Sequence, residues 1–231
     1  MRKFALLLLL FNWCISACSQ PETASKERQL NYPLEKEKAL ALQKDLAARY
    51  READSSGKER ILQESKQKLF ALISHDLIPG WYGTKWDFNG TTETPGQGTI
   101  ACGYFVTTVL RDAGFQLNRY KYAQMASEAM ILKLTPKVKR FSGADFNTVE
   151  KYIAQTSYGI FIAGLDNHTG FIIKTKDSIR FVHSVAYEDV DGVVSQDLPE
   201  ATIFNLSNYK VLGEILHEDM IRAWLEGGKY E

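Results

Sequence analysis

From Leu34 to about Tyr50 the apolar positions Leu42, Leu46 and Tyr50 recur every four residues, the spacing that puts them on one face of a helix. Asp54-Ser55-Ser56-Gly57 interrupts that pattern. A second helical stretch runs from Lys58 to about His75, with Ile61, Leu62, Leu69, Leu72 and Ile73 on one face. Together they predict a helical hairpin over residues 34–77, and the Lys/Glu runs within it read as solvated faces. From Ile78 the period lapses. Pro79-Gly80-Trp81-Tyr82-Gly83 opens a loop rich in Gly, Thr and Asn that reaches Thr99, and a loop this long in a compact domain is often functional. Helical spacing returns over Cys102–Ala113, at Phe105, Val109 and Ala113, with Gly114 as its C-cap. Tyr122–Leu132 and Ala144–Gln155 read as two more helices. The period then changes to two: Ile160–Ala163, Gly170–Lys174, Ile179–His183 and Thr202–Leu206 read as strands, with turns at Leu165-Asp166-Asn167 and Lys176-Asp177-Ser178. A further strand at Tyr209–Leu212 and a closing helix at His217–Leu225 complete the series. Helices first and antiparallel strands later indicate an α+β fold.

Composition limits what such a domain can be. Hydrophobic residues make up 45% of the chain and aromatics 12%, enough for a real core. Lys+Arg and Asp+Glu both total 28. That balance, without a basic stripe, leaves no electrostatic case for nucleic acid. No Cys/His metal spacing, phosphate loop or dinucleotide fingerprint is present, and no cofactor is expected.

The amino-terminal segment changes the expected address. Arg2 and Lys3 precede Phe4-Ala5-Leu6-Leu7-Leu8-Leu9-Leu10-Phe11, a run too short to span a bilayer but suited to a signal peptide over residues 1–18. Ile15-Ser16-Ala17-Cys18 resembles a bacterial lipobox, in which Cys18 becomes the acylated first residue of an exported lipoprotein; an ordinary secretory signal cut nearby is the alternative. Residues 19–33 then read as a polar tether and 78–231 as the main domain. The anchor side, periplasmic face or outer membrane, stays open, and a monomer is expected.

Three cysteines are present, and Cys14 and Cys18 belong to the export segment. Exported proteins use cysteines in pairs, so the remaining Cys102 needs its own account. A packed core thiol is one reading. The other is a nucleophile: Cys102 opens a helix, where unpaired N–H groups and the positive dipole end lower a thiol's pKa and can hold an oxyanion. Such a nucleophile needs a base and a group to orient it. His168 heads one expected strand and His183 ends the next, so an antiparallel hairpin sets them side by side. A zinc site from these three residues lacks a fourth ligand.

This order resembles the NlpC/P60 branch of the papain-like cysteine peptidases. His168-Thr169-Gly170-Phe171-Ile172 is similar to the family's His-x-Gly segment, and Gly83-Thr84-Lys85-Trp86 with Gly90-Thr91-Thr92 is similar to its lead-in. The resemblance covers roughly residues 80–213. It implies Cys102 as nucleophile, His168 as base and His183 as the orienting residue, with Trp86, Gly103 and Gln97 near substrate. Ala101-Cys102-Gly103 departs from the usual Asp-Cys-Ser, and Trp86 stands where Tyr is usual. The implied activity is hydrolysis of an amide bond through an acyl-enzyme, with peptidoglycan stem peptides, or another peptide, as substrate. A non-catalytic binding module for wall peptides or a protein partner, and an acyltransferase on the same fold, are the competing readings.

Overall fold

Alternation along the strands sorts their side chains onto two faces of one sheet, and each face is buried under its own helices. The computed structural model describes residues 21–156 and 158–230, so the expectations for residues 1–18, with Cys14 and Cys18, lie outside the described residues. Helix α1 spans Pro21–Glu52 and α2 spans Ser55–Ala71; α2 starts at Asp54, whose side chain accepts from the Gly57 amide at 2.7 Å. A π-helical turn, Leu72–Leu77, carries the chain into the short α3, Ile78–Gly80. Helix α4 is Cys102–Asp112, followed by strand β1 (Gln116–Leu117), α5 (Arg119–Ala123) and α6 (Ser127–Leu134). Next come β2 (Val138–Ser142), α7 (Phe146–Ala154), β3 (Gly159–Leu165), β4 (Thr169–Lys174), β5 (Ile179–Tyr187) and β6 (Val190–Asp197). A short α8 (Thr202–Leu206), β7 (Tyr209–Ile215), α9 (Glu218–Glu226) and β8 (Lys229–Tyr230) end the chain.

Strands β2-β7-β3-β4-β5-β6 form an antiparallel sheet in that order, while β1 and β8 pair in parallel beside it. Ile160, Ile162, Phe171, Ile173 and Val182 project into a core shared with α1, α2, α4 and α9. Phe161, Ala163, Ile172, Phe181 and Leu212 project the other way, onto α7 and α8. This period-two partition is why β3 and β4 are buried on both faces. The architecture is α+β, with the cysteine-bearing helix packed on an antiparallel sheet.

Three expectations change. Residues 21–33, expected as part of a polar tether over 19–33, belong to helix α1. Their Glu, Lys and Gln residues favour helix, and Tyr32 is buried with its hydroxyl donating to Asp112 at 3.0 Å. Tyr32, Ala39, Leu46 and Tyr50 form the buried stripe of that longer helix. Thr202–Leu206 is α8 and not a strand: five residues are too few for their period to distinguish the two, and the Asn205 amide closes a helical bond to Ala201. The single helix expected over Tyr122–Leu132 is divided between α5 and α6.

Candidate active site

Helix α4 begins without a side-chain cap. Ala101 is extended, and the first intrahelical amide bond runs from Phe105 to the Ala101 carbonyl at 2.9 Å. The amides of Cys102, Gly103 and Tyr104 therefore have no partner within the helix. The residues before Cys102 are strapped from two sides. The Ile100 amide donates to Lys85 and the Ala101 amide to Gly90, so part of the long 78–99 segment is a brace for the nucleophile candidate. From the sheet, Ser184 donates to the Ile100 carbonyl at 2.6 Å and ties β5 to the start of α4. Gly103 permits the tight approach of α5: a Cβ there would lie 2.5 Å from the Ala123 carbonyl oxygen. A serine at 103 would collide with that backbone.

The two histidines meet as the antiparallel hairpin requires. His168 precedes β4, His183 lies on β5, and His168 Nε2 is 2.8 Å from His183 Nδ1. His183 Nε2 is 2.9 Å from the Gln196 Oε1 on β6. The amide oxygen can only accept, so His183 carries its proton on Nε2 and a neutral ring is left with a lone pair on Nδ1. His168 Nε2–H then donates to that lone pair. The remaining nitrogen of His168, Nδ1, is by elimination a lone pair available to take a proton. Gly170 makes the packing possible, since a Cβ there would sit 2.7 Å from the Val182 carbonyl and 2.8 Å from the His183 Cβ.

Burial sets the resting protonation. It drives His168 down to about 3, helped by the neighbouring His183. It drives His183 down to about 4 against the opposing bond to Gln196. Both rings are neutral near pH 7. Burial also pushes the Cys102 thiol up, although hydrogen bonds from the Thr169, Gly103 and Cys102 amides pull the other way. The expected lowering by the helix start is thus outweighed by desolvation. At rest the thiol and both imidazoles are therefore neutral.

Cys102, Gly103, His168 and Thr169 line one cavity of about 240 Å³. Trp86 lines a second, of about 320 Å³, on which His168 also borders. Leu165, Asp166, Asn167 and His168 are common to both, so the turn before β4 forms the ridge between them. Gln97 is not brought to the cysteine: it is exposed on the rim of a separate cavity between α1 and Glu93–Gly96. Gln97, expected near substrate, does not line the cavity that holds Cys102.

Gln196 and Ser184 escaped the sequence reading. Both lie near the sheet margin and neither belongs to a recognisable motif. Gln196 could have been found only by pairing β6 to β5, where it opposes Phe181 two residues from His183. No protein-family model, curated protein or solved structure matches the chain.

Proposed function

We propose that the protein is a cysteine hydrolase of the papain-like, NlpC/P60 type, cleaving an amide bond through an acyl-enzyme on Cys102. The observation that carries this reading is the hydrogen-bond series from Gln196 through His183 to His168, which leaves a basic nitrogen on a ring sharing a cavity with the thiol. Because the thiol and His168 are neutral at rest, proton transfer accompanies attack rather than preceding it. The Cys102 proton passes to His168 Nδ1 as Sγ bonds to the carbonyl carbon. The imidazolium so formed is held by its Nε2–H bond to His183, and the amides at the start of α4, which point at the sulfur in the resting site, turn to the oxyanion. His168 then returns the proton to the leaving amine as the C–N bond breaks. Water activated by the same ring releases the acid and regenerates the thiol.

Wall stem peptides as substrate, export and a lipid anchor at Cys18 come from the resemblance and the lipobox. Among the described residues no helix is long and apolar enough to cross a membrane, which is compatible with that address. The test is turnover of a peptide-amide library and of wall fragments by the detergent-solubilised full chain, with Cys102→Ala and His168→Ala alongside. We expect hydrolysis lost in the first and reduced on the order of 10²–10⁴-fold in the second. Equal hydrolysis by wild type and Cys102→Ala would end the proposal, as would no hydrolysis across the library and the wall fragments.

A further inference from the structure

Two consecutive residues of β5 point to opposite faces of the sheet, and each holds a different part of the candidate site. His183 shares its face with Phe181, on which its ring packs with 4.3 Å between centroids, and it bonds His168. Ser184 shares the opposite face with Val182 and donates its hydroxyl to the Ile100 carbonyl at 2.6 Å. Both Ser184 and Ile100 are fully buried. The register between β4 and β5 runs from Lys174 opposite Ile179 to Phe171 opposite Val182 and ends there. On its other side β5 stays paired with β6 as far as Tyr187. Past Val182, then, β5 is tied toward the site by two side chains, His183 to His168 and Ser184 to Ile100.

We infer that Ser184 is a positioning residue: by holding the Ile100 carbonyl it sets the place of Cys102 relative to His168, from a buried position away from substrate. The inference rests on the cysteine-hydrolase reading above. Packing alone would be served by an apolar residue, as at Phe171 and Val182 on the same face. The hydroxyl instead completes a hold on Ile100 from two sides, since the Ile100 amide donates to the Lys85 carbonyl at 2.9 Å. Only Ala101 separates that residue from Cys102, and the Ala101 amide is itself bonded to the Gly90 carbonyl at 2.8 Å. Little slack is left between the hydroxyl and the start of α4. On the strand side, one Cα–Cα step of about 3.8 Å separates Ser184 from His183, which orients His168 through their shared bond. Without the hydroxyl a buried carbonyl loses its donor, and the lead-in to α4 must move to find another. A displacement of about 1 Å near reacting groups costs on the order of 10²-fold in rate.

The experiment uses the detergent-solubilised full chain and the best-cleaved peptide amide of the library above. Steady-state kcat and KM are measured for wild type, Ser184→Ala, Ser184→Thr, His168→Ala and the double variant Ser184→Ala/His168→Ala, with urea midpoints to show that each is folded in the assay. We expect Ser184→Ala to lower kcat on the order of 10–100-fold and to leave KM within about 2-fold. Ser184→Thr keeps the hydroxyl and should recover at least about 5-fold of that loss. In the His168→Ala background the same Ser184→Ala change should cost less than about 2-fold, because the base whose distance it sets is gone. Wild-type kcat in folded Ser184→Ala overturns the inference and leaves the hydrolase reading standing. So does a kcat in Ser184→Thr no better than in Ser184→Ala, or a rise in KM alone. An equal loss in both backgrounds also overturns it, since the hydroxyl then supports the fold and not the relation of thiol to base. Turnover in His168→Ala as fast as in wild type overturns the hydrolase reading and the inference with it.

Discussion

One amide oxygen decides which nitrogen of His168 is basic. Gln196 Oε1 accepts from His183 Nε2, and each neutral ring passes that choice along to the next. A glutamine with its amide nitrogen turned inward would reverse both tautomers and present an N–H to the thiol. Gln196→Leu removes the acceptor, and kcat should fall on the order of 10–100-fold with little change in KM. Gln196→Glu keeps an acceptor and adds a negative charge, which raises the pKa of both rings. The acid limb of kcat/KM, set by a base at about 3 in the native protein, should then move to higher pH. Steady-state profiles of the three proteins from pH 4 to 8 check this. Unchanged kcat and unchanged limbs would reduce Gln196 to a packing residue. The pair His168 and His183 was legible from a predicted hairpin. Gln196 was not, because its strand reads Val190-Asp191-Gly192-Val193-Val194-Ser195-Gln196-Asp197, with polar residues on both faces of an edge and no clean alternation.

At the scale of elements, the site depends on backbones that approach more closely than side chains allow. Two such approaches flank Cys102 and the histidine pair: α4 against the end of α5 at Gly103, and β4 against β5 at Gly170. Gly170→Ala must push the Val182 carbonyl or the His183 side chain aside, at a cost of about 1–3 kcal/mol by overpacking. Equilibrium denaturation should show that loss, with kcat lowered further because His183 moves. Full stability and activity in Gly170→Ala would mean that β5 can slide without disturbing the histidine pair. The same geometry separates what could be read from what could not. Strands β3, β4 and β5 and helix α4 are long and strongly periodic, and each was located to within a few residues. Helix α8 and strands β2 and β6 are short or sit at an edge, where tertiary contacts outweigh local pattern. The desolvation of Cys102 was also invisible, because a thiol's burial is a property of the assembled helix, sheet and loop.

The whole molecule joins α1 and α9 to α4 and the segment that follows it through polar contacts. The Tyr32 hydroxyl meets Asp112 at the end of α4, and Gln43 donates to the carbonyls of Gly114 and Trp224. Tyr32→Phe removes the hydroxyl donor from a buried carboxylate, and denaturation should show a loss of about 1–3 kcal/mol. No change would mean that Arg111, which also bonds Asp112 at 2.9 Å, satisfies it alone. Burial has a second, global consequence through the histidines. His168 and His183 titrate at about 3 and about 4 when folded, against 6.5 ordinarily, and burial lowers His217 too. Below pH 6.5 the unfolded chain therefore binds protons that the folded chain refuses. Stability is complete above that pH and falls as pH drops through the window toward 3. At pH 5 the loss is about 2 kcal/mol for each of the two site histidines. The lowered carboxylates, Glu64 at about 2 among them, titrate below about 4.5 and add their loss only at lower pH. Urea midpoints at pH 7.5, 6.0 and 5.0 should therefore decline in the wild type. In His168→Gln/His183→Gln the decline should shrink to the share of His217. An equal decline in both proteins would place the acid sensitivity elsewhere and remove the case for a neutral histidine pair.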